Sequence, residues 1–220
     1  MARKGAADPS GLVLFDKPAG PSSFAIVRDL REKTGARAGH AGTLDPFATG
    51  LLLVLLGSFT KQAQRFVGLP KRYETAVDLS RLTSTGDPEG DVVEEHDPPS
   101  EAELAGLLAG LRGEVDLKIP AASAVKIGGE RAYKLHRRGV AVEMPTRKTT
   151  VYELELVGYE EPVARLAMRI SSGGYVRAVA EALGGHCASL RRTHVGSFDV
   201  ADADPERIIA PDEALAALEP

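Results

Sequence analysis

The order in which strand-like and helix-like patterns follow one another limits the folds that this chain can adopt. Short apolar or alternating stretches, which are typical of strands, occur at 11–20, 72–80, 149–158, 163–170 and near 192–200. Helical patterns occur from Ser22 or Ser23 to Gly35 and over 100–113, 173–185 and 211–218. A doubly wound fold would alternate strand and helix regularly, and this sequence does not. The order therefore predicts an α+β class without internal repeats.

Two helices and one strand have specific patterns. Ser100 and Glu103 predict a capping box for the clearest helix, which Gly113 would end and whose apolar stripe would be Leu104, Leu107, Leu108 and Leu111. In the first helix, Phe24, Val27 and Leu30 would lie on one apolar face. In the strand "RYETAVDLS", alternation predicts one buried side formed by Tyr73, Thr75, Val77 and Leu79.

Charge is distributed unevenly along a chain whose net charge is −4. Residues 118–150, which we call the basic flap, contain eight Lys or Arg against two Glu. Residues 86–114 contain nine Asp or Glu against one Arg. The basic flap could bind a polyanion while the acidic segment stays solvated. A basic solvated helix with its loops is the alternative interpretation of the flap.

Signatures of cofactor binding and of membrane insertion are not found in the sequence. There is no P-loop, no dinucleotide fingerprint after a strand and no pair of His or Cys at metal-ligand spacing, so we expect neither metal nor cofactor. Apolar runs fall short of the roughly 18 to 20 residues of a membrane span, and "MARKGAADPSG" lacks the apolar region of a secretory signal. We therefore expect a cytoplasmic protein. Its single cysteine, Cys187, should be a small buried hydrophobe.

Asp45 lies between a Gly/Thr-rich turn and one of the most apolar runs of the chain, in "GHAGTLDPFATGLLLVLLG" (39–57). Taken alone, it is best explained as a turn former, because an Asp before Pro avoids the helical region and bonds to nearby amides. Two further motifs, "KRYE" (71–74) and "GGYVR" (173–177), supply an aromatic residue and an arginine. An acid, an aromatic residue, an arginine and a polycation together suggest action on one nucleotide of a structured RNA.

Several blocks of the sequence occur in the order and at the approximate spacing of a known family. They are "DKPAGPSSF", "RAGHAGTLDPFATGLLLVLLG", "TK", "KRYETAVDL", "SAVKIGGERAYKLHRRG", "SSGGYVRAVAEALG" and "LRRTHVGSF". Over roughly residues 12 to 203, the chain resembles the bacterial tRNA pseudouridine-55 synthase family (TruB). The block around Asp45 is the most specific of them.

The resemblance implies a pseudouridine synthase fold, with a mixed, mostly antiparallel central sheet, flanking helices and the basic flap as an insertion. It implies that a uridine within RNA is isomerised without a cofactor: the N-glycosidic bond is cut, the base turns, and C5 replaces N1 on the ribose. Asp45 matches the catalytic aspartate, which either adds to the base or assists glycosidic cleavage. Arg177 matches the arginine that pairs with this carboxylate and keeps it charged. Tyr73 matches the tyrosine that stacks on the base and helps to move the C5 proton.

Further residues are implied to bind the RNA. His40 matches a histidine near the flipped nucleotide, Tyr175 would form a wall of the pocket, and Lys126 would contact a phosphate or pack within the protein. The cationic helix of the basic flap would add phosphate contacts from Lys134, Arg137 and Arg138. The alternatives are a hydrogen-bonded turn histidine, a structural tyrosine and a solvated basic surface.

The chain departs from the family pattern in three places. Residues 120–122 lack an aromatic that many relatives have, and Ser80 and Ser84 replace the usual Gly and Asp. Bacterial relatives usually continue into a small RNA-binding domain, whereas this chain ends at Pro220. We therefore expect residues 1–220 to form a single catalytic domain that acts as a monomer.

The leading expectation is a synthase that modifies uridine 55 in the T-arm of tRNA. One alternative is a synthase of the same family with another RNA target. The other is a non-catalytic module that binds or folds RNA. Intact Asp45, Tyr73 and Arg177 argue against the second alternative, because a pure binder has no need of an acid that faces phosphates.

Overall fold

The structure is a computed structural model of the chain and describes residues 9–218. The chain forms two compact units. The first runs to Arg72 and resumes at Arg191, and the second runs from Tyr73 to Leu190. Within residues 9–218, no helix is both long enough and apolar enough to cross a membrane.

The first unit contains elements from both parts of the chain that form it. Its strands are β1 (Gly11–Lys17), β2 (Ala38–His40), β3 (Thr49–Leu56) and β13 (Phe198–Asp199). Its helices are α1 (Ser23–Thr34), α2 (Ala63–Val67) and α6 (Pro211–Ala216), with 3₁₀ turns at Gly57–Gln62 and Val200–Asp202. Two longer strands, β4 (Lys71–Asp78) and β12 (His186–Val195), have residues in both units.

Strand β3 is the centre of the first unit. It pairs antiparallel with β1, from Gly11↔Leu56 to Lys17↔Gly50, and antiparallel with β2. Alternate residues of a strand point to opposite sides, and the apolar run of β3 is buried on both of them. Leu51, Leu53 and Leu55 pack with a cluster that includes Phe66 and Phe198. The residues between them, Leu52, Val54 and Leu56, pack with Ile26, Val27 and Leu30 of α1.

The end of β12 lies beside β3 in parallel, with Arg191 opposite Thr49 and Arg192 opposite Gly50. Gly50 has a φ of +100°, and a Cβ built there would lie 2.2 Å from the Arg192 carbonyl oxygen. Only glycine fits at this close approach of two backbones. The position of Arg192 relative to β3 is therefore fixed by the backbone itself.

Helix α1 begins and ends as its sequence predicts, but one of its predicted core residues lies outside. The Ser22 side chain accepts a hydrogen bond from the Ala25 amide as the N-cap, and Gly35 is the C-cap. Val27 and Leu30 are buried together with Ile26. The prediction for Phe24 was wrong: its side chain is 71% exposed, because the apolar face of α1 begins only at Ile26.

The second unit contains most of the mixed sheet. Its further strands are β5 (Arg81–Thr83), β6 (Val92–Glu95), β7 (Gly113–Lys118), β8 (Lys126–Ile127), β9 (Glu130–Arg131), β10 (Thr146–Glu160) and β11 (Val163–Ile170). Its helices are α3 (Glu101–Gly110), α4 (Ala132–Arg137) and α5 (Val176–Ala182). Strands β12, β4, β11, β10 and β7 lie side by side in that order. The β10–β11 and β10–β7 pairs are antiparallel, so the predicted α+β class with a mostly antiparallel sheet is confirmed.

Local patterns in the second unit are largely confirmed. Helix α3 has the predicted capping box between Ser100 and Glu103, and its Leu104 and Leu108 are buried, whereas Leu107 is 43% exposed. The helix ends at Gly110 and not at Gly113, which begins β7. The side of β4 predicted to be buried is buried: Tyr73, Thr75, Val77 and the following Leu79. Cys187 is also buried, as predicted.

Candidate active site

The turn that carries Asp45 is braced by side chains of neighbouring elements. The Ser23 hydroxyl, at the start of α1, donates to the Leu44 carbonyl and accepts from the Leu44 amide, both at 2.8 Å. The Lys17 ammonium, at the end of β1, donates to the Pro46 carbonyl at 3.1 Å. The Ala48 amide donates to the Asp45 carbonyl at 3.1 Å and closes the turn. Asp45 thus sits half-buried on a turn whose backbone is held on both sides.

Arg192 braces the same turn from β12. Its guanidinium donates to the carbonyl oxygens of Leu51 at 2.7 Å, Gly42 at 3.0 Å and Thr43 at 3.5 Å. The side chain is 1% exposed. Arg192 was not predicted as a site residue, although it stands in the block "LRRTHVGSF". The available signal was the pair of consecutive arginines, because neighbouring residues of a strand point to opposite faces.

Two further basic side chains of the first unit, Lys71 and His40, lie near Arg192. Lys71 is 6% exposed, and its ammonium donates to the carbonyl oxygens of Val67 at 2.5 Å and Leu69 at 2.6 Å. Burial, followed by the charge of Arg192, lowers the pKa of Lys71 to about 8. The same two causes, in the same order, lower the pKa of His40. The Nδ1 atom of His40 is buried and has no hydrogen-bond partner among residues 9–218.

Arg177 occupies a buried site at the start of α5 in the second unit. Its guanidinium donates to the carbonyl oxygens of Thr85 at 2.6 Å and Ala122 at 3.0 Å, and lies 3.3 Å from the Asp87 carboxylate. Both charged side chains are almost fully buried, at 2% and 7% exposure. Gly86 allows this approach: its φ is +72°, and a Cβ built there would lie 3.3 Å from the Arg177 Cβ.

Asp87 is the second residue that the sequence analysis missed, since it was counted within the solvated acidic segment. The carboxylate accepts hydrogen bonds from the Thr85 hydroxyl at 2.6 Å and the Glu89 amide at 3.1 Å. These bonds and Arg177 compensate the charge in its buried position. The short polar run "TSTGD" was the available signal, because Thr and Asp two residues apart favour such a local turn. The predicted pair between Asp45 and Arg177 joins residues of different units and stays a prediction.

The remaining predicted site residues lie in the second unit. Tyr73 is buried on β4, at 9% exposure. Tyr175 is half-buried at the N-cap of α5 and packs against the cluster of Ile119, Ala132 and Met144. This contact ties the start of α5 to the apolar base of the basic flap.

The basic flap presents its charged side chains outward. It contains the β8–β9 hairpin and α4, and Lys126, Lys134, Arg137 and Arg138 are exposed. Arg138 pairs with Glu130 at 2.8 Å, and the Arg137 guanidinium carbon lies 5.7 Å from the centre of the Tyr133 ring. Part of the positive charge of the flap is therefore compensated within the flap.

Comparison with known proteins gives the family. The model of the TruB family pseudouridylate synthases (N-terminal domain) matches residues 29–176. The tRNA pseudouridine synthase B of Corynebacterium jeikeium (strain K411) is 40% identical over 94% of this chain and 75% of its own length. That of Aquifex aeolicus (strain VF5) is 40% identical over 93% of this chain and 78% of its own length.

Solved structures give the fold. The crystal structure of a Cbf5-Nop10-Gar1 complex contains a similar chain, with a TM-score of 0.66 and 26% identity over 86% of this chain. This chain covers about half, 50%, of that one. The fold is that of the pseudouridine synthases, a class of enzymes that modify RNA. Within that class, the chain belongs to the TruB family of pseudouridylate synthases.

Proposed function

We propose that this chain converts uridine 55 in the T-arm of tRNA to pseudouridine, with Asp45 as the catalytic carboxylate. Support for tRNA as the substrate comes from relatives named tRNA pseudouridine synthase B that are 40% identical over most of this chain. The observation that carries the assignment of Asp45 is its braced turn: Ser23, Lys17 and Arg192 all bond to the backbone on either side of the acid.

A rigid turn is useful to a catalytic carboxylate because the acid must meet the flipped nucleotide in one geometry. Ionised Asp45 either adds to the base or assists cleavage of the N-glycosidic bond. The base turns, C5 bonds to C1′ in place of N1, the C5 proton is lost, and N1 gains a proton. Atoms and charges balance without a co-reactant. No group beyond the protein is required by this sequence of steps.

In this proposal Tyr73 stacks on the base and helps to move the C5 proton, and Arg177 keeps Asp45 ionised. A base–aromatic stack contributes about 1–3 kcal/mol, which offsets part of the few kcal/mol needed to unstack a nucleotide. His40 and Tyr175 contact the flipped nucleotide. Phosphates of the T-arm are contacted from the basic flap by Lys126, Lys134, Arg137 and Arg138. We further propose that residues 1–220 act as one catalytic domain, as a monomer in the cytoplasm.

The decisive experiment is incubation of the purified protein with an unmodified tRNA transcript, followed by position-specific chemical mapping of pseudouridine. A transcript with cytidine at position 55 and the Asp45→Asn variant are the controls. Pseudouridine at position 55 with wild-type protein alone would support the proposal. Pseudouridine at other positions and never at 55 would favour a different RNA target. No pseudouridine despite tight binding would favour a non-catalytic RNA-binding module.

A further inference from the structure

A cavity of about 290 Å³ opens on the surface of the first unit, between the end of α1 and the start of β2. It is lined by Arg31, Arg37 and the short connection between them, residues 35–38. Two arginines thus line one surface depression. Neither residue was singled out by the sequence analysis.

The two arginines differ in charge balance from the cations beside them. Arg28 on the same helix lies 3.0 Å from Asp29 and 4.0 Å from Glu32, and Lys33 pairs with Glu206. Arg31 and Arg37, both exposed, take part in no ion pair with another of residues 9–218. A cation in the last turn complements the dipole of α1, but Lys33 and Arg31 both stand there already. The helix dipole therefore explains Arg31 and Lys33 but not Arg37, which lies beyond the C-cap Gly35.

The backbone holds both arginines in place. The Gly35 amide donates to the Arg31 carbonyl at 2.9 Å, and the Gly57 amide donates to the Arg37 carbonyl at 2.7 Å. The next residue, Ala38, is paired with Leu56 of β3. Two guanidinium groups carried by backbone that is already held suit a phosphate, because each planar fork can bind two of its oxygens. Little ordering of the backbone is needed when such a ligand binds.

The cavity lies on the strand that leads to the proposed active site. Arg37 precedes His40 by three residues, which is about 10 Å of extended chain. A nucleotide held at His40 would place the flanking phosphates of its strand in this region of the first unit. We propose that Arg31 and Arg37 form a phosphate-binding site for the RNA strand next to the target nucleotide, a proposal that rests on the proposed function. Such a contact orients the strand and reads no sequence.

The test variant is Arg31→Gln with Arg37→Gln. Its matched control is Arg28→Gln with Arg207→Gln, which removes the same charge from two exposed arginines that are paired with acids. Binding of unmodified tRNA transcript is measured over a range of salt concentrations. The negative slope of log K against log salt should become shallower by roughly 0.7 to 0.9 in the test variant, because one phosphate is no longer neutralised, and stay at the wild-type value in the control. Equal slopes in the two variants would overturn the proposal, since only net charge would matter.

A second measurement identifies the source of the phosphate. Transcripts that carry one uncharged methylphosphonate linkage near position 55 are assayed with wild-type protein and the test variant. At one linkage the methylphosphonate should raise KM for wild type, and it should not raise KM further for the test variant. If the methylphosphonate and the arginine replacements instead raise KM by independent factors at every linkage, the arginines do not contact the flanking strand. Pseudouridine formation by wild type at position 55 tests the proposed function separately, so failure of one idea is distinguishable from failure of the other.

Discussion

Arg177 and Asp87 form an ion pair of 3.3 Å in which both side chains are almost fully removed from solvent. Replacement of Asp87 removes a carboxylate that faces the buried Arg177 guanidinium and the acceptor of the Thr85 hydroxyl. Asp87→Ala should therefore lower the free energy of unfolding by about 3–5 kcal/mol, measured by urea denaturation. The control is Asp91→Ala, on the exposed side of the same segment, which should change it by less than about 0.5 kcal/mol. Equal effects of the two changes would contradict a structural role for the pair.

Asp45→Asn should abolish pseudouridine formation and leave both the unfolding midpoint and tRNA affinity close to wild type. The amide keeps the shape of the carboxylate but lacks its negative charge, and the turn is held by other residues. Single-turnover assays with saturating protein measure the loss. Asp116→Asn, an exposed change on β7, should keep full activity. Turnover comparable to wild type in Asp45→Asn would return Asp45 to the role of a turn former.

Arg192→Met should weaken the Asp45 turn, because three carbonyl oxygens lose a charged donor. We expect a loss of stability of at least about 1.5–3 kcal/mol, the range for a hydrogen bond to a charged group. In the fraction that stays folded, kcat should fall more than KM rises. Arg207→Met removes an exposed arginine paired with Glu213 and should cost at most about 1 kcal/mol. Normal kcat in folded Arg192→Met would show that the turn keeps its geometry without this side chain.

Stability should rise with pH in the alkaline range because the pKa of Lys71 falls from 10.5 to about 8 on folding. Below pH 8, Lys71 is protonated in both the folded and the unfolded protein, and burial of its charge lowers the stability of the folded protein by the full amount. Between pH 8 and about 10.5 the unfolded chain binds more protons, so this group alone adds up to about 3 kcal/mol as pH rises. The hydrogen bonds from Lys71 to Val67 and Leu69 favour the charged form and reduce the gain.

This pH dependence is measured by urea denaturation of wild type and Lys71→Met at several pH values from 7.5 to 10.5. The difference in stability between the two proteins should change in favour of wild type as pH rises. Lys61→Met, an exposed change in the same unit, is the control for the removal of one lysine. A difference between wild type and Lys71→Met that does not change with pH would mean that the pKa of Lys71 is not lowered on folding.

Replacement of Lys134 and Arg137 by Gln should weaken tRNA binding. The negative slope of log K against log salt should become shallower by roughly 0.7 to 0.9 for each phosphate that the variant no longer neutralises. Arg138→Gln alone should have a smaller effect, because Glu130 already compensates this arginine at 2.8 Å. Filter binding at several salt concentrations measures the slopes. An unchanged slope in the double variant would identify the surface of the basic flap as merely solvated.

Sequence patterns predicted the local features of this fold well. The capping box of α3 and the alternation of β4 depend on residues a few positions apart, and both are confirmed. The exposed side chain of Phe24 was not predicted, because periodicity places it on the apolar face of α1 but cannot tell where neighbouring elements stop covering that face.

The buried polar contacts were beyond the reach of these patterns. Arg177 bonds to Thr85, and Arg192 bonds to Gly42, over separations of 92 and 150 residues. Periodicity within one element gives no information about such partners. Asp87 was misjudged for the same reason, since nine acids in one segment suggest a solvated surface unless the buried arginine is known. The resemblance to a family supplied Arg177 but not the contacts that hold it.

The division of the first unit between the two ends of the chain has a consequence for biosynthesis. Its core joins Leu12 and Leu53 to Val195, Phe198 and Ala214, so β1 and β3 leave the ribosome long before the side chains that cover them. At about 5–20 residues per second, this delay is on the order of ten seconds. Nascent chains should therefore expose the β1–β3 hairpin to chaperones during that time. The unit that carries Asp45 is completed only after the second unit, so a nascent chain that has not reached Arg191 should be inactive.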